Sequence, residues 1–310
     1  MNTKTHYDIV GDIHGHASAL RRLLAELGYR PVGKAFRAPT GRKALFLGDY
    51  IDRGPEVRET LEIVRGMVEN GSALAILGNH EVNALRYHTE GPNGQPLREH
   101  HGSKLEQHRA TLEQLADPYP TEWHGWLDWF AGLPVWLDLG PIRAVHAAWD
   151  PDAIRDLGRV GPLAGPNLLV HSEKGTDRYE ALETLLCGHE IDLPEGSSFQ
   201  TGDGAVRRNI RSTWWEDFSG KTFREIVFPG DDRIPAVLVP ATTRNIRYPG
   251  NAPPVFFGHY AVMDDQPVPL RPNVACVDYG SGKGGLLTAY RWSGESELLR
   301  ENFVSTQTKG

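Results

Sequence analysis

Three short apolar runs open the chain, each followed by a polar loop and then by apolar residues at helical spacing. The runs are residues 6–10, 44–47 and 73–77. Their length and their flanking glycines and charges predict buried strands. After the first, Leu20, Leu23, Leu24 and Leu27 recur at helical spacing, which predicts a helix over 17–27 capped by Gly28. After the second, Val57, Leu61, Val64 and Val68 share one helical face, with an end near Gly71. After the third, residues 82–87 continue as a helix, while residues 31–41 read as a polar connector. This β-α-β-α-β rhythm implies parallel strands joined by right-handed crossovers.

The pattern then changes. Residues 89–96 form a Gly- and Pro-rich loop, and helices follow over 100–116 and 118–130. Trp126, Trp129 and Phe130 fall at helical spacing and are expected to pack a helical subdomain on the sheet rather than stack on a nucleobase. His88, His100, His101, His108 and His124 match no ligand spacing and are expected to be solvated. Residues 133–139 and 142–145 read as strands turning at Gly140-Pro141, 150–166 as loop, 177–186 as helix and 188–221 as irregular. Late apolar runs at 236–239, 255–257, 274–277 and 286–292 have no crossover helix between them, which predicts antiparallel pairing. The last residues, 305–310, are expected to be loose. The fold class is therefore α/β: two mixed β-sheets packed face to face with flanking helices. A single domain over 1–310 is expected, interrupted by a helical insert near 86–131 and an irregular insert near 188–233.

Composition agrees with a packed core and narrows the partners. Hydrophobic residues make up 39% and charged residues 24% of the 310 residues. A net charge of −7 disfavours extended nucleic-acid binding or an anionic membrane surface, while leaving room for a small basic pocket. Cys187 and Cys276 form no metal-spacing motif and read as reduced core thiols. No apolar stretch is long enough to span a membrane, and the N-terminus enters a strand directly without the pattern of a signal peptide, so a cytoplasmic location is expected. The oligomeric state is left open.

Each of the three opening runs ends in a loop of one plan: GDIHG at 11–15, GDYIDRG at 48–54 and GNHE at 78–81. One Gly-Asp turn is ordinary chemistry. Three in succession, each opening a helix at a strand end, are a motif set at the place where open α/β sheets hold ligands. The set resembles the metallophosphoesterases, in the phosphoprotein-phosphatase branch that includes the bacterial diadenosine tetraphosphate hydrolases. The resemblance is strong over 7–81 and moderate over 133–150 and 255–292, where CVDYGSGKGGLLTAYRW is similar to the closing strand-turn-strand of that branch. The glycines of 280–285 lack the spacing and following helix of a P-loop and read as a hairpin turn, with Asp278 and Tyr279 in structural roles.

The residue types suit metal chemistry. Asp12 and His14 alternate in one loop, Asp49 has an oxygen for each of two ions, and Asn79 offers an amide oxygen. His146 and His259 each follow an apolar run. Mixed carboxylate, amide and imidazole donors suit Mn²⁺ first, with Fe, Zn, Co or Ni as alternatives. The resemblance implies two divalent metal ions, the first taking Asp12, His14 and Asp49 and the second Asp49, Asn79, His146 and His259. Hydrolysis by a metal-bridging hydroxide needs no protein nucleophile. His80 is then the candidate acid for the leaving group, Asp52 its charged partner, and Arg53 a bidentate phosphate clamp. The family's arginine directly before GNH is Leu77 here, and Arg211, or Arg207 and Arg208, are candidates to replace it in substrate binding.

The leading expectation is a dinucleoside polyphosphate hydrolase-like enzyme acting on a phosphorylated small molecule or nucleotide. The alternatives are a serine/threonine protein phosphatase or small-molecule phosphomonoesterase, a nucleic-acid end phosphatase, and an inactive binding scaffold of the same fold. The complete set of metal-type residues with an acid beside it argues against the scaffold.

Overall fold

The structure is a computed structural model that describes residues 5–158, 161–200 and 206–309. Its centre is a pair of sheets. In the first, the strands His6–Val10, Arg42–Phe46 and Ala73–Ala75 lie side by side and parallel, as the βαβ rhythm predicts. Leu286–Trp292 runs antiparallel on the other side of His6–Val10 and carries Asp278–Tyr279 and Phe303–Gln307 as neighbours. The second sheet holds Val274–Cys276, Val255–Phe257, Arg143–Val145 and Trp136–Asp138, in that order.

Strand alternation sorts the core into two layers. Ile9, Leu45, Phe256, Ala275 and Val277 form one buried cluster between the sheets. Their neighbours Val10, Phe46, Val255, Phe257 and Cys276 turn the other way, into the cluster that also takes Leu20, Leu23, Leu61 and Val64 from the flanking helices Ala17–Glu26 and Val57–Glu69. Cys187 and Cys276 are free thiols.

Several elements depart from the sequence pattern. The pairs Val255–Phe257 with Val274–Cys276, and Val255–Phe257 with Arg143–Val145, are parallel, not antiparallel. Parallel neighbours need a long return path, not a helix, and the irregular segment 258–273 provides it. Residues 236–239 make only an isolated bridge from Leu238 to Thr222. Residues 305–307 of the run expected to be loose close the strand Phe303–Gln307, which is paired along its length with Leu286–Trp292. The connector at 31–41 holds all but the first residue of a hairpin, Arg30–Val32 with Ala35–Arg37. Asp150 caps a helix at Pro151–Leu157, accepting from the Asp152 and Ala153 amides. That Asp-Pro start was legible as a helix signal. Residues 201–205 of the irregular insert lie outside the described residues.

The helical insert comprises Gly102–Thr111, a π-turn at Leu112–Ala116, and Pro120–Ala131. Trp123, Trp126 and Phe130 are buried in the main core, with Trp129 packed against it. The tryptophans thus fasten the insert to the sheet and are not free to stack on a base.

Backbone bonds stack the strand-end loops on one another. Ile13 and His14 donate their amides to Asp49 O, Gly15 to Tyr50 O, and Gly54 to His14 O. Fully buried Glu81 ties the second loop to the third: its carboxylate accepts from the amides of Asp49 (2.8 Å), Tyr50 (2.8 Å) and Gly78 (3.0 Å). Glu81→Ala should orphan three buried donors and lower the unfolding free energy by about 3–5 kcal/mol, with about 1–3 kcal/mol for Glu81→Gln, which keeps one acceptor oxygen. Urea denaturation is the check, and a change within ordinary surface-substitution range for Glu81→Ala would refute the stapling role.

His189 presents a second testable element. Its Nδ1 lies 2.8 Å from Ser212 Oγ and its ring stacks on Phe218. Burial, and then the Arg244 charge, pull its pKa down to about 4. Above pH ~6.5 the imidazole is neutral in both folded and unfolded chains; below it, only the unfolded chain takes up the proton. His189 therefore withdraws about 1–2 kcal/mol of stability as pH falls from 7 to 5. His189→Gln should show a correspondingly shallower decline in urea midpoint over that window; parallel declines in the two proteins would refute the assignment.

Candidate metal and phosphate site

Nine strand-end and helix-start residues meet at one rim of the two sheets. Asp12 and His14 follow the first strand, and Asp49, Asp52 and Arg53 the second. Asn79 and His80 begin the helix Asn79–Tyr87. His146 follows Arg143–Val145, and His259 follows Val255–Phe257. His14, Asp49, Asp52, Arg53 and His259 are five of the seven non-glycine residues with positive φ among the described residues. Such backbone costs of order 1–3 kcal/mol per residue and persists where the surroundings over-determine it.

Asp49 stands at the junction. Its Oδ2 is 3.5 Å from His14 Nε2 and 3.9 Å from His80 Nε2, while its Oδ1 is 3.4 Å from His146 Nε2. Two close donor groups result, His14–Asp49–His80 and Asp49–His146–His259, sharing Asp49. Asn79 joins the second, its Oδ1 lying 3.0 Å from His146 Nε2 and 2.9 Å from His259 Nδ1. The Asp12 carboxylate accepts the His259 amide at 3.1 Å.

The imidazoles are oriented for coordination. His14 Nδ1 donates to Ile51 O (3.0 Å) and His146 Nδ1 to Leu47 O (2.7 Å), leaving each Nε2 lone pair aimed at Asp49. Backbone carbonyls behind a ring are the usual way a metal-binding histidine is held. His146 Nε2 then faces an amide oxygen and a carboxylate oxygen, all electron-pair donors, and His259 Nε2 has no hydrogen-bond partner among the described residues. A cation between these groups satisfies what no protein donor does, so the residues fit divalent metals.

Electrostatics tell the same story. Burial pulls His14 down to about 3, with the His80 charge adding to it. His146 goes the other way, to about 10, because the Asp49 charge outweighs its burial, so a proton on Nε2 and a cation compete for the same oxygens. Burial and then the neighbouring Asp278 hold Asp12 well above the usual carboxylate range. Crowded acids and imidazoles of this kind mark functional sites. Close packing is also built in: a Cβ on Gly258 would lie 2.1 Å from Asp12 Oδ1, and one on Gly78 2.2 Å from Asp49 Oδ1.

Next to these groups is a polar cleft of about 150 Å³ reached by Arg53, Arg211, Gln107 and Lys283. Of the three candidate arginines Arg207, Arg208 and Arg211, only Arg211 lines it; Arg207 and Arg208 are exposed. Arg207 acts on the Lys104 ammonium, whose pKa is lowered by burial and then by the charges of Arg98, Lys174 and Arg207. Leu77 is fully buried and does not line the cleft.

His80 Nδ1 lies 2.5 Å from Asp52 Oδ2. Asp52 is held well below the usual carboxylate range: burial opposes this, but hydrogen bonds from His108 and His80 outweigh it. His108 is the main correction to the sequence reading. It is buried, not solvated, with Nδ1 2.8 Å from Asp52 Oδ1. Nothing in its spacing from Asp52 announces the contact. Gln107 was equally unannounced, with Nε2 3.3 Å from His80 Nε2. Asp278 lines the cleft and its carboxylate accepts the amides of Ala261 (2.5 Å) and Gly280 (3.0 Å), shaping the loop after His259. Tyr279 turns away, toward Val268.

Known proteins place this geometry in a family. The asymmetrical bis(5'-nucleosyl)-tetraphosphatase PrpE of Geobacillus sp. is 42% identical over 80 residues, covering 26% of this chain and 33% of that protein. Its namesake in Bacillus subtilis is 36% identical over 110 residues, 36% of this chain and 43% of its own. The chain thus spans less than half the length of these two relatives. The symmetrical bis(5'-nucleosyl)-tetraphosphatase of Methylococcus capsulatus is 26% identical over 302 residues, covering 93% of this chain and 92% of that one. The model of the calcineurin-like phosphoesterases matches residues 6–231, and the chain belongs to that family.

Proposed function

We propose that this protein is a dinuclear metal-dependent phosphoesterase, and that its preferred substrate is a dinucleoside polyphosphate cleaved at an anhydride. One observation carries the reading: Asp49 presents one oxygen to each of two donor groups. Asp12, His14 and Asp49 would hold one divalent ion and Asp49, Asn79, His146 and His259 the other, with Mn²⁺ the first candidate. The ions, when bound, would polarise the phosphoryl oxygens and lower the pKa of water between them.

The remaining steps belong to the chain's own side chains. Arg53 clamps the scissile phosphate with its planar fork. His80, held through Nδ1 by Asp52, keeps Nε2 toward the cleft and gives a proton to the leaving oxygen. Arg211 supplies the second guanidinium that Leu77 does not. The small cleft suits one phosphoryl group with its ions, so the rest of a polyphosphate extends over the rim of Lys283, Arg207, Arg208 and Lys104. That basic rim on a chain of net charge −7, together with the names of the relatives, favours the nucleotide over a phosphoprotein. Both inserts would serve substrate choice within one domain.

A panel assay with Mn²⁺ tests the substrate class: turnover should be highest on diadenosine tetraphosphate. A phosphopeptide or a 5′-phosphorylated oligonucleotide turned over faster would overturn that part of the reading. Asp49→Ala should lose most bound metal together with activity. Two metal equivalents retained per chain, by elemental analysis, would sink the shared-ligand assignment. The double variant Arg207→Ala, Arg208→Ala should raise KM for diadenosine tetraphosphate several-fold while leaving p-nitrophenyl phosphate untouched, because a small monoester does not reach the rim. Equal effects on the two substrates would mean that these arginines are solvated surface only.

A further inference from the structure

The helical insert reaches the site through side chains that the proposed chemistry leaves unused. Asp52 accepts three side-chain hydrogen bonds and its two oxygens are divided between them. Oδ2 faces His80 Nδ1 at 2.5 Å. Oδ1 takes His108 Nδ1–H at 2.8 Å and Thr111 Oγ1–H at 2.5 Å. Thr111 Oγ1 also accepts the Asp52 amide at 3.0 Å, so the insert helix Gly102–Thr111 grips both the backbone and the carboxylate of this residue. Asp52 and the following Arg53 both have left-handed backbone, with φ of 69° and 63°. Left to itself, such a pair relaxes; the surroundings must hold it.

His108 is itself held. Its ring lies 5.1 Å from Tyr87 and 6.0 Å from Trp123, and its Nε2 is 3.4 Å from His88 Nε2. Asp52 can only accept, so Nδ1 of His108 carries the proton given to it. The imidazole is thereby fixed in both plane and direction, and Asp52 has one orientation in which all three donors are met.

We infer that His108, seconded by Thr111, is a positioning residue for phosphoester hydrolysis: it fixes the Asp52 carboxylate so that Oδ2 meets His80 Nδ1, and it holds the Asp52–Arg53 turn in its left-handed form. The insert is thus part of the working site and not only a cover over the sheet. The inference rests on the reading of His80 as the proton donor for its catalytic consequence, but the positioning is measurable without it.

The test uses zinc-loaded, ¹⁵N-histidine-labelled protein. The proton between His80 Nδ1 and Asp52 should give a downfield resonance that vanishes in His80→Ala. In His108→Leu it should move upfield or broaden, and His108→Asn, whose amide N–H stands where Nδ1–H did, should restore it. Turnover of an ester with a poor leaving group should fall about 10–100-fold in His108→Leu. The fall should be smaller for p-nitrophenyl phosphate, KM and metal content should hold, and His108→Asn should recover most of the loss. Thr111→Val, nearly isosteric, provides the same comparison should His108→Leu not fold. An unmoved His80 resonance in both His108→Leu and Thr111→Val overturns the inference, whatever the rates. A displaced resonance together with a His80→Ala loss that is equal for good and poor leaving groups upholds the positioning and refutes His80 as the acid.

Discussion

Asp49 is held in a backbone conformation it would not choose, and the site is assembled around the consequence. Its φ of 52° turns the carboxylate out of the strand direction, into the gap between the first and second sheets' loops. The His80 amide donates to Oδ1 at 3.0 Å, and Glu81 takes the Asp49 amide from below. One residue therefore receives support from the third loop on both its backbone and its side chain. In return it offers an oxygen to each of two imidazole groups that come from different sheets. The cost of the strained turn is met by the amides, the carbonyls behind His14 and His146, and a core that buries the supporting strands where they end at the site. A low-dielectric wall on one side and open cleft on the other make this a place where charge is both strongly felt and reachable by a ligand.

The inserts add what the shared core lacks. Around the first sheet the family geometry supplies carboxylates and imidazoles for cations. The helical insert adds His108, Thr111 and Gln107 near the His80–Asp52 pair, and the irregular insert adds Arg211 to the cleft. A buried network of this kind is sensitive to any missing partner, because each unpaired group pays its full desolvation. That sensitivity explains why the insert is fastened by Trp123, Trp126 and Phe130 in the main core: a helix that sets a carboxylate to within a hydrogen-bond length must itself be rigid.

Much of this was readable from residues alone. Apart from the hairpin at 30–37, strands and helices through residue 87 follow from run length and helical spacing, because one face of each element is buried against a sheet and the period of its side chains records that fact. The three loops GDIHG, GDYIDRG and GNHE announced the residues that converge, since a tight turn at a strand end restricts composition as strongly as the chemistry does. Less was readable later in the chain. The direction of Val255–Phe257 against Val274–Cys276 depends on the path of 258–273, which no local pattern encodes. The strand Phe303–Gln307 is half exposed, at the edge of its sheet, and so carries little hydrophobic signal.

The sequence by itself determined the residue types and local spacing of the site: carboxylates, imidazoles and one amide at strand ends, with an arginine beside them. The sequence pointed to His14, His80, His146 and His259 among thirteen histidines, and only the tertiary structure added His108. His108 is separated from Asp52 by 56 positions, and their hydrogen bond exists because Trp123 and Phe130 dock a helix on the sheet at one angle. Arg211 was separable from Arg207 and Arg208 only by where its strand emerges. Periodicity and turn chemistry act between neighbours in the chain, whereas hydrogen bonds and charge act between neighbours in space, and only folding makes those two kinds of neighbour coincide.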